Sequence, residues 1–327
     1  MWSAARNALV VSHSRRLQKV IAETTPVEKI FAERGAGWLD LLHAMRVHHW
    51  VKNLLVFLPL AAAHPGLQWS PIGRSLIAFA AFSLCASSVY LLNDLLDLPS
   101  DRIHPNNKSR KLASGQMAPL QALVLLPLLL VAALLLGVYL SVWCMAVLAA
   151  YFLVMLGYSL RLKDIPLLDV SLLAGGYAMR VVLGALAASI ALSVWLAVFC
   201  LLLFFSFALI KRYAELLLSE SVSGIAGAHA RGYLLSDKMI LVAQGIASGY
   251  LAVLVLALYM NTEIIHRFYA RRDLFGVLCV LLFYWINYMW LMASRGRAGH
   301  DPVVFAFKDR VSRWLVASMG LVAVAAV

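Results

Sequence analysis

Charged residues are scarce in this sequence. Asp, Glu, Lys and Arg make up 13% of its 327 residues, whereas 63% are hydrophobic and the mean hydropathy is +0.83. This composition excludes an ordinary soluble domain and is typical of proteins that cross a membrane several times. The net charge of +12 therefore does not predict binding to nucleic acid. The basic residues lie in loops between apolar segments, where they would face anionic lipid.

Cysteine pairs and a signal peptide are also missing. The four cysteines stand singly within apolar segments and form no C-x-x-C pair, so we expect packing roles and neither a disulfide nor a zinc site. No apolar core follows a charged start within about the first thirty residues, so we expect no secretory signal peptide.

Long apolar runs dominate what is present, and they predict nine membrane-spanning helices. Crossing about 30 Å of hydrocarbon takes about 20 residues, and a helix satisfies its own backbone hydrogen bonds in lipid. The predicted spans are residues 49–65, 74–95, 118–138, 141–160, 166–188, 193–211, 238–260, 274–293 and 312–327. We therefore predict an all-α, polytopic membrane domain over residues 41–327.

Residues 1–40 differ from the rest of the chain because they are polar to amphipathic. We expect one or two short helices on the membrane surface, and a solvated extension is the simplest interpretation. The stretch 9–35 resembles the tail of a phosphatase-like domain, which would make this extension the remnant of a fused domain.

The distribution of Lys and Arg predicts the orientation of the chain. Most of these residues fall in the N-terminal segment and in alternate connections between the spans. By the positive-inside rule, the N-terminus is cytoplasmic and the C-terminus lies outside. The acidic connections then face the cytoplasm, where soluble phosphorylated substrates are available.

Three of the 16 acidic residues, Asp94, Asp97 and Asp101, stand within eight residues directly after an apolar run. On one helix they would lie within an arc of about 60°. Pro99 interrupts that helix, which makes Asp94 and Asp97 the firmer pair. Carboxylate oxygens suit Mg²⁺, which is often shared with the phosphates of a ligand. We predict a Mg²⁺ and diphosphate site at the membrane surface, with solvated aspartates at a helix end as the alternative. We expect Asn93 to bind a ligand rather than to cap a helix.

A second acidic connection contains Asp164 and Asp169, which would lie about 140° apart on one helix. Asp164 is expected to cap the next helix, and Asp169 is the better candidate for the site. Arg180 returns to within about 20° of the same face, about 16 Å deeper. Charged residues at such depth face a polar cavity or a partner. Either Asp169 and Arg180 line a substrate cavity, or Arg180 belongs to a structural ion pair.

Basic and aromatic residues at the predicted cytoplasmic helix ends complete the candidate site. Arg can grip phosphate with two hydrogen bonds, whereas Lys acts as a point charge. Positive-inside topology alone would also place basic residues there. The candidates for substrate binding are Lys52, Arg110, Lys111, Tyr158, Lys163, Lys211 and Arg212.

The pattern Asn93-Asp94-x-x-Asp97-x-x-x-Asp101, followed by a basic segment ending in Ser-Gly, resembles the first signature of the UbiA superfamily of intramembrane prenyltransferases. The resemblance extends over roughly residues 40–327. It implies nine transmembrane helices around a central cavity open to the cytoplasm and lipid. It also implies Mg²⁺ that holds a diphosphate.

Four segments resemble the decaprenyl-phosphate phosphoribosyltransferase branch of that superfamily: 46–60 (RVHHWVKNLLVFLPL), 108–115 (KSRKLASG), 157–163 (GYSLRLK) and 211–215 (KRYAE). This implies a phosphoribosyl diphosphate donor, a polyprenyl phosphate acceptor and a bacterial inner-membrane enzyme of cell-envelope biosynthesis. Lys111 departs from the branch, where proline is expected. Asp164 and Asp169 depart from the D-x-x-x-D spacing common in the superfamily.

Two other functions stay open at this point. In a prenyltransferase, an allylic cation would form from a prenyl diphosphate, and Asp169 would be a candidate base toward an aromatic or other acceptor. A secondary transporter would place its site near the midplane between inverted repeats. The acidic cluster lies at the interface instead, and the sequence shows no internal repeat.

Overall fold

The computed structural model describes residues 8–11, 15–31, 37–63, 69–103, 107–223, 232–260, 271, 273–297 and 301–326. The described chain is mostly helical, as predicted. It divides into two compact units, one formed by residues 1–47 and 90–126 and the other by residues 48–89 and 127–327.

The helices follow one another along the chain with few other elements between them. The α-helices are α1 Arg15–Thr24, α2 Trp38–Ala44, α3 Leu58–Ala63, α4 Trp69–Leu96, α5 Leu98–Ile103, α6 Pro119–Leu140, α7 Val142–Leu160, α8 Leu168–Ala188, α9 Val194–Ser223, α10 Lys238–Tyr259, α11 Leu274–Ser294, α12 Pro302–Lys308 and α13 Arg310–Ala325. The 3-10 helices are Val47–Phe57, Leu162–Asp164 and Leu235–Asp237.

The N-terminal segment contains two strands that the sequence analysis did not predict. Strands β1 (Ala8–Val11) and β2 (Val27–Phe31) pair in parallel, and α1 connects them. Val10 and Ile21 are buried against Val27, so the β-α-β segment has a small apolar core of its own. The expectation of helices alone was wrong here, because β-branched residues favour a strand once it has a partner.

Seven helices in the described part of the chain are long and apolar enough to cross a membrane. They are Trp69–Leu96, Pro119–Leu140, Val142–Leu160, Leu168–Ala188, Val194–Glu220, Leu235–Tyr259 and Leu274–Ser294. They coincide with seven of the nine predicted spans.

The first and ninth predicted spans form shorter elements. The first contains the 3-10 helix Val47–Phe57 followed by α3, and its last residues, 64–65, lie outside the described residues. Pro59 has no backbone N–H to donate and stands in the first turn of α3, where proline is tolerated. The ninth overlaps α13, which has 16 residues, and its last residue, 327, lies outside the described residues.

In the second unit, the 3-10 helix Val47–Phe57 packs against α8 at a glycine. A β-carbon at Gly184 would lie 1.9 Å from the carbonyl oxygen of Val56, so only glycine allows this approach. One helical turn away, Asn53 and Arg180 form a hydrogen bond. The contact therefore fixes the segment that carries Lys52 and Asn53.

Arg74, near the start of α4, joins the ends of two other helices. Its Nε donates to the carbonyl oxygen of Ala187 at 2.6 Å, and its Nη2 donates to that of Leu140 at 3.0 Å. Both acceptors lie in the last turn of a helix, where carbonyl groups have no partner within the helix. Arg74 therefore completes the C-terminal ends of α6 and α8.

Candidate active site

Two aspartates of the acidic motif are buried beside two arginines in the first unit. Asp94 lies near the end of α4 and is 4% exposed, and Asp101 lies in α5 and is 3% exposed. Arg46 donates from Nη2 to Oδ1 of Asp94 at 2.5 Å. Arg110 donates from Nη1 to the same oxygen at 3.3 Å and to Oδ2 of Asp101 at 2.5 Å. We call these four residues, Arg46, Asp94, Asp101 and Arg110, the first cluster.

The turn between α4 and α5 determines which carboxylates meet. Asp97 occupies this turn and is half-buried, and the backbone N–H of Asp101 donates to its carbonyl oxygen at 2.8 Å. Asp94 and Asp101 share Arg110, whereas the sequence analysis had singled out Asp94 and Asp97. Asn107 adds a hydrogen bond of 2.8 Å to Oδ1 of Asp101.

Arg46 was missed as a site residue, although it opens the segment 46–60 that the sequence analysis compared with the phosphoribosyltransferase branch. It has a φ of 53°, in the left-handed region that non-glycine residues rarely adopt. Its guanidinium also lies 5.1 Å from the centre of the Tyr90 ring. The available signal was its position just before the first apolar run, on the predicted side of the acidic motif.

Lys111 lies outside the first cluster. Its Nζ pairs with Oδ1 of Asp40 at 2.9 Å and donates to Gln116 at 2.5 Å. The hydrogen bond from Lys111 lowers the pKa of Asp40, and the hydrogen bond from the backbone of Gly37 adds to this effect. Lys111 therefore connects the basic segment to Asp40 in α2.

The chemistry of the first cluster fits Mg²⁺. Its two carboxylates provide hard anionic oxygens, the ligands that Mg²⁺ prefers, and the two arginines now neutralise them. Asp97 is the third carboxylate of the motif. In the part of the chain that the structure describes, no group of three His, Cys, Asp or Glu side chains is close enough to hold a metal ion.

A second carboxylate–arginine cluster lies within the second unit. Oδ2 of Asp169 accepts from Nε of Arg212, and Oδ1 accepts from the hydroxyl of Tyr233 at 2.6 Å. Arg212 also donates to the hydroxyl of Tyr158 at 2.7 Å and to Glu215. Both Asp169 and Arg212 are fully buried. We call these five residues the second cluster.

Tyr233 was not predicted, because it is 64 residues from Asp169 along the chain. Its oxygen also accepts a hydrogen bond of 2.7 Å from the backbone N–H of Leu167, at the start of α8. Burial raises the pKa of Tyr233, and its hydrogen bond to Asp169 raises it further. Tyr233 therefore remains a protonated donor that holds Asp169.

Asp164 does not cap α8, contrary to the expectation. The capping position is Leu167, which makes no side-chain capping bond and has a φ of 65°. Asp164 is exposed in the 3-10 helix Leu162–Asp164, beside the half-buried Lys163. This short helix and Pro166 separate Asp164 from the first turn of α8.

Arg180 is buried in α8 within a ring of aromatic side chains. It donates to Oδ1 of Asn53 at 2.8 Å and to the carbonyl oxygen of Gly176 at 2.6 Å. Its guanidinium carbon lies 4.5 to 5.5 Å from the ring centres of Phe82, Tyr151 and Tyr177. No ion pair between described residues includes Arg180. The partners of Arg180 are thus an amide, a backbone carbonyl group and aromatic rings, and Asp169 is not among them.

Lys52 pairs with Asp301, which the sequence analysis did not identify. Asp301 also begins α12, because its Oδ1 accepts from the backbone N–H groups of Val303 and Val304 at 3.1 and 3.2 Å. Burial would raise the pKa of Asp301, but the charges of Lys52 and Lys211 outweigh this effect and lower it. The two residues are 249 positions apart, so local sequence patterns could not predict the pair.

Comparison with known proteins adds to this geometry. The model of the UbiA prenyltransferase family matches residues 54–308. The solved structure of a UbiA homolog from Archaeoglobus fulgidus bound to GPP and Mg²⁺ is similar, with a TM-score of 0.63 and 14% sequence identity. That match covers 88% of this chain and 99% of the homolog. The likeness shows that the fold is shared.

Three curated relatives are similar in sequence. The uncharacterized protein y4nM of Sinorhizobium fredii is 29% identical over 98% of this chain and 62% of its own length. The nodulation protein NoeC of Azorhizobium caulinodans is 33% identical over 87% of this chain and 91% of its own length. The decaprenyl-phosphate phosphoribosyltransferase of Mycolicibacterium smegmatis is 38% identical over 55% of this chain and 58% of its own length. The chain thus spans under two thirds of the first and third of these relatives.

Proposed function

The chain belongs to the UbiA prenyltransferase family, and from that premise we propose that it transfers 5-phosphoribose from phosphoribosyl diphosphate to a polyprenyl phosphate of the decaprenyl type. It is a membrane transferase by family and by its apolar helices. The observation that carries the proposal is the first cluster, where two buried carboxylates meet two arginines. These groups suit a metal-bound diphosphate.

In this proposal, Asp94, Asp97 and Asp101 hold Mg²⁺, which when bound would neutralise the leaving diphosphate. Arg46 and Arg110 bind phosphate oxygens, and the amide of Asn93 donates a hydrogen bond to phosphoribosyl diphosphate. The bond from C1 of ribose to the diphosphate breaks, and a phosphate oxygen of the polyprenyl phosphate forms the new bond to C1. The diphosphate leaves with the bonding electrons.

The second cluster supports this reaction over prenyl transfer to a neutral acceptor. Both oxygens of Asp169 already accept hydrogen bonds, from Arg212 and Tyr233, and the carboxylate is fully buried. It is therefore poorly placed to take a proton. A polyprenyl phosphate is already an anion and needs no general base, so the reaction does not require Asp169 to act as one. We propose that Asp169, with Tyr158 and Arg212, supports the fold of the second unit.

The name of the Mycolicibacterium smegmatis relative supports phosphoribosyl diphosphate as the donor. The basic side chains of the second unit, Lys52, Lys163, Arg180 and Lys211, are proposed to contact phosphate groups, and Lys111 is proposed to do so in the first unit. We propose a bacterial inner-membrane protein with its N-terminus and site in the cytoplasm, where the donor is soluble.

Residues 1–40 are proposed to be an extension of a transmembrane domain over residues 41–327. Parallel strands normally occur in sheets covered on both faces, and β1 and β2 form a parallel pair. This supports an origin of the extension in a larger fused domain.

A second candidate is transfer of a prenyl group from a prenyl diphosphate to an aromatic or other acceptor. The likeness to a homolog bound to GPP and Mg²⁺ favours this candidate. Membership in a transferase family leaves the transporter alternative without support.

The deciding experiment uses the purified protein in lipid nanodiscs with Mg²⁺, labelled phosphoribosyl diphosphate and decaprenyl phosphate. We expect labelled lipid from the wild type and none above background from Asp94→Ala. Asp237→Asn is the control, because Asp237 lies in the 3-10 helix Leu235–Asp237, outside both clusters. Turnover of geranyl diphosphate with an aromatic acceptor, without any phosphoribosyl transfer, would overturn the proposal.

A further inference from the structure

Two guanidinium groups bind the buried carboxylates of the first cluster. Nη1 of Arg110 bridges Oδ1 of Asp94 and Oδ2 of Asp101, as a shared cation would. Nη2 of Arg46 contacts the same oxygen of Asp94. One carboxylate oxygen therefore accepts from two arginines, and the charges of the two carboxylates are balanced by two positive charges.

This balance has a cost for metal binding. A buried carboxylate needs a nearby cation, so the arginines stabilise the cluster when no metal is present. A divalent cation placed beside both arginines would meet two like charges at close range, which is strongly unfavourable in a buried site. Metal and arginine therefore cannot share these oxygens comfortably.

The side chains of both arginines are partly exposed to solvent. Arg110 lies in the turns that follow Asn107, and its side chain is 28% exposed. The side chain of Arg46 is 19% exposed and lies over the Tyr90 ring. The backbone of Arg46 is in a left-handed conformation, which is costly outside glycine and clusters at functional sites. Both side chains can thus leave the carboxylates without crossing the protein core.

We propose that Arg46 and Arg110 are placeholders for the metal: they neutralise Asp94 and Asp101 while no metal is bound. When the donor and the metal bind, the two arginines release these carboxylates and bind the diphosphate. This inference rests on the proposed function, because it assumes a metal-bound diphosphate at the first cluster. Arg46 and Arg110 exchange a carboxylate partner for a phosphate partner, so their charge remains compensated throughout. Metal without diphosphate then binds weakly, and metal with diphosphate binds tightly, which is a positive coupling between the two ligands.

The test measures two affinities on the full-length protein, using Mn²⁺ as the metal probe and inorganic pyrophosphate as the diphosphate probe. Electron paramagnetic resonance reports free Mn²⁺, and calorimetry reports pyrophosphate binding at saturating Mn²⁺. For Arg46→Met and for Arg110→Met, we expect Mn²⁺ alone to bind about tenfold more tightly, because a competing charge is removed. We expect pyrophosphate to bind about tenfold more weakly, because a charged hydrogen bond is lost.

Lys108→Met is the matched control, because Lys108 is an exposed cation of the same basic segment and lies outside the first cluster. Neither affinity should change by more than about twofold in this variant. Arg46→Lys is a second variant that keeps the charge and loses the two-pronged grip. It should leave the affinity for Mn²⁺ alone near the wild-type value and still weaken pyrophosphate binding.

The opposite signs separate a placeholder from a structural residue. If both affinities fall in the methionine variants, the arginines only support the site and the inference is wrong. It is equally wrong if neither affinity changes. A wild type that binds Mn²⁺ and pyrophosphate but fails to transfer phosphoribose contradicts the proposed donor and leaves the placeholder role supported. A wild type that binds neither probe overturns both.

Discussion

The first and second clusters both join aspartate to arginine, yet they differ in their access to water. In the first cluster, the side chains of Arg46 and Arg110 are 19% and 28% exposed. In the second, Asp169 and Arg212 are not exposed at all, and each oxygen of Asp169 has a donor. The same pair of residue types can therefore serve exchange at one place and rigidity at another.

The difference depends on what surrounds each pair. Buried ion pairs are strongly destabilising when one partner is lost, because the remaining charge has no compensation. Exposed pairs contribute little, because water replaces the partner. The first cluster lies between these limits, with buried carboxylates and partly exposed arginines. This arrangement suits the reversible binding of a ligand.

The sharpest test of this comparison is Arg212→Met, which leaves the buried carboxylate of Asp169 without its cation. We expect the free energy of unfolding to fall by about 3–5 kcal/mol, measured by denaturant titration in detergent micelles. The double variant Asp169→Asn/Arg212→Met should recover a large part of the loss, because it removes both charges. Wild-type stability in Arg212→Met would place the second cluster beside the first as an exchangeable site.

Close packing at Gly184 also stabilises the second unit, and Gly184→Ala tests that contribution without changing charge. The added β-carbon would lie 1.9 Å from the carbonyl oxygen of Val56. We expect a loss of about 1–3 kcal/mol, as for overpacked cores, seen as a lower melting temperature. Gly175→Ala is the control on the same helix, because its β-carbon would meet no atom within 4 Å. Equal effects of the two variants would contradict the close approach.

The pair between Lys52 and Asp301 is partly exposed, with side chains that are 10% and 20% exposed, so its loss should cost less than that of the fully buried pair of Asp169 and Arg212. We expect Asp301→Asn to lower stability by about 1–2 kcal/mol at pH 7, because asparagine keeps the cap of α12 and loses the attraction to Lys52. The control is Asp309→Asn, which caps α13 and pairs with the hydroxyl of Tyr288 instead of a lysine.

The pH dependence of the Asp301 variant gives an additional check. The pKa of Asp301 is lowered in the folded protein, so its contribution is present above the unfolded pKa of about 3.9 and is lost as the pH falls through the folded value. Wild type and Asp301→Asn should therefore differ at pH 7 and converge in stability at acid pH. A difference that is constant with pH would mean that the charge of Asp301 is not involved.

The smallest effect is expected at the surface pair of Lys238 and Glu220. The Glu220 side chain is 53% exposed, so we expect Lys238→Met to change stability by at most about 1 kcal/mol. Thermal unfolding at low and high salt would measure it. If Lys238→Met lowered stability as much as Arg212→Met, solvent exposure would not explain the difference between buried and surface ion pairs.

The parts of the molecule that sequence could predict are those encoded locally. Hydropathy located seven spans that the structure contains, because each span is a continuous apolar run. The spacing of Asp94, Asp97 and Asp101 predicted that their carboxylates lie close together, and the structure joins two of them, Asp94 and Asp101, through Arg110. Sequence analysis did not identify Arg46, Asp301 or Tyr233 as site residues. Their partners lie 48, 249 and 64 residues away, so the pairs exist only once the chain has folded.

The strands of the N-terminal segment illustrate another kind of failure. Four- and five-residue strands carry little periodicity, and α1 between them is amphipathic enough to suggest helices throughout. Parallel pairing between residues that are about twenty positions apart decides the outcome, as in Val10 with Ile30. Patterns within a short stretch of sequence do not show which distant segment a strand will pair with.

Arg74 changes how the charges of the predicted outer side should be counted. A helix C-terminus carries about half a negative charge, and Arg74 binds the ends of both α6 and α8. The two C-terminal half-charges stabilise the guanidinium locally, although the net charge of Arg74 is unchanged. A basic residue on the outer side of a membrane protein need not oppose the orientation set by the inner loops when folding supplies its counter-charge from the backbone.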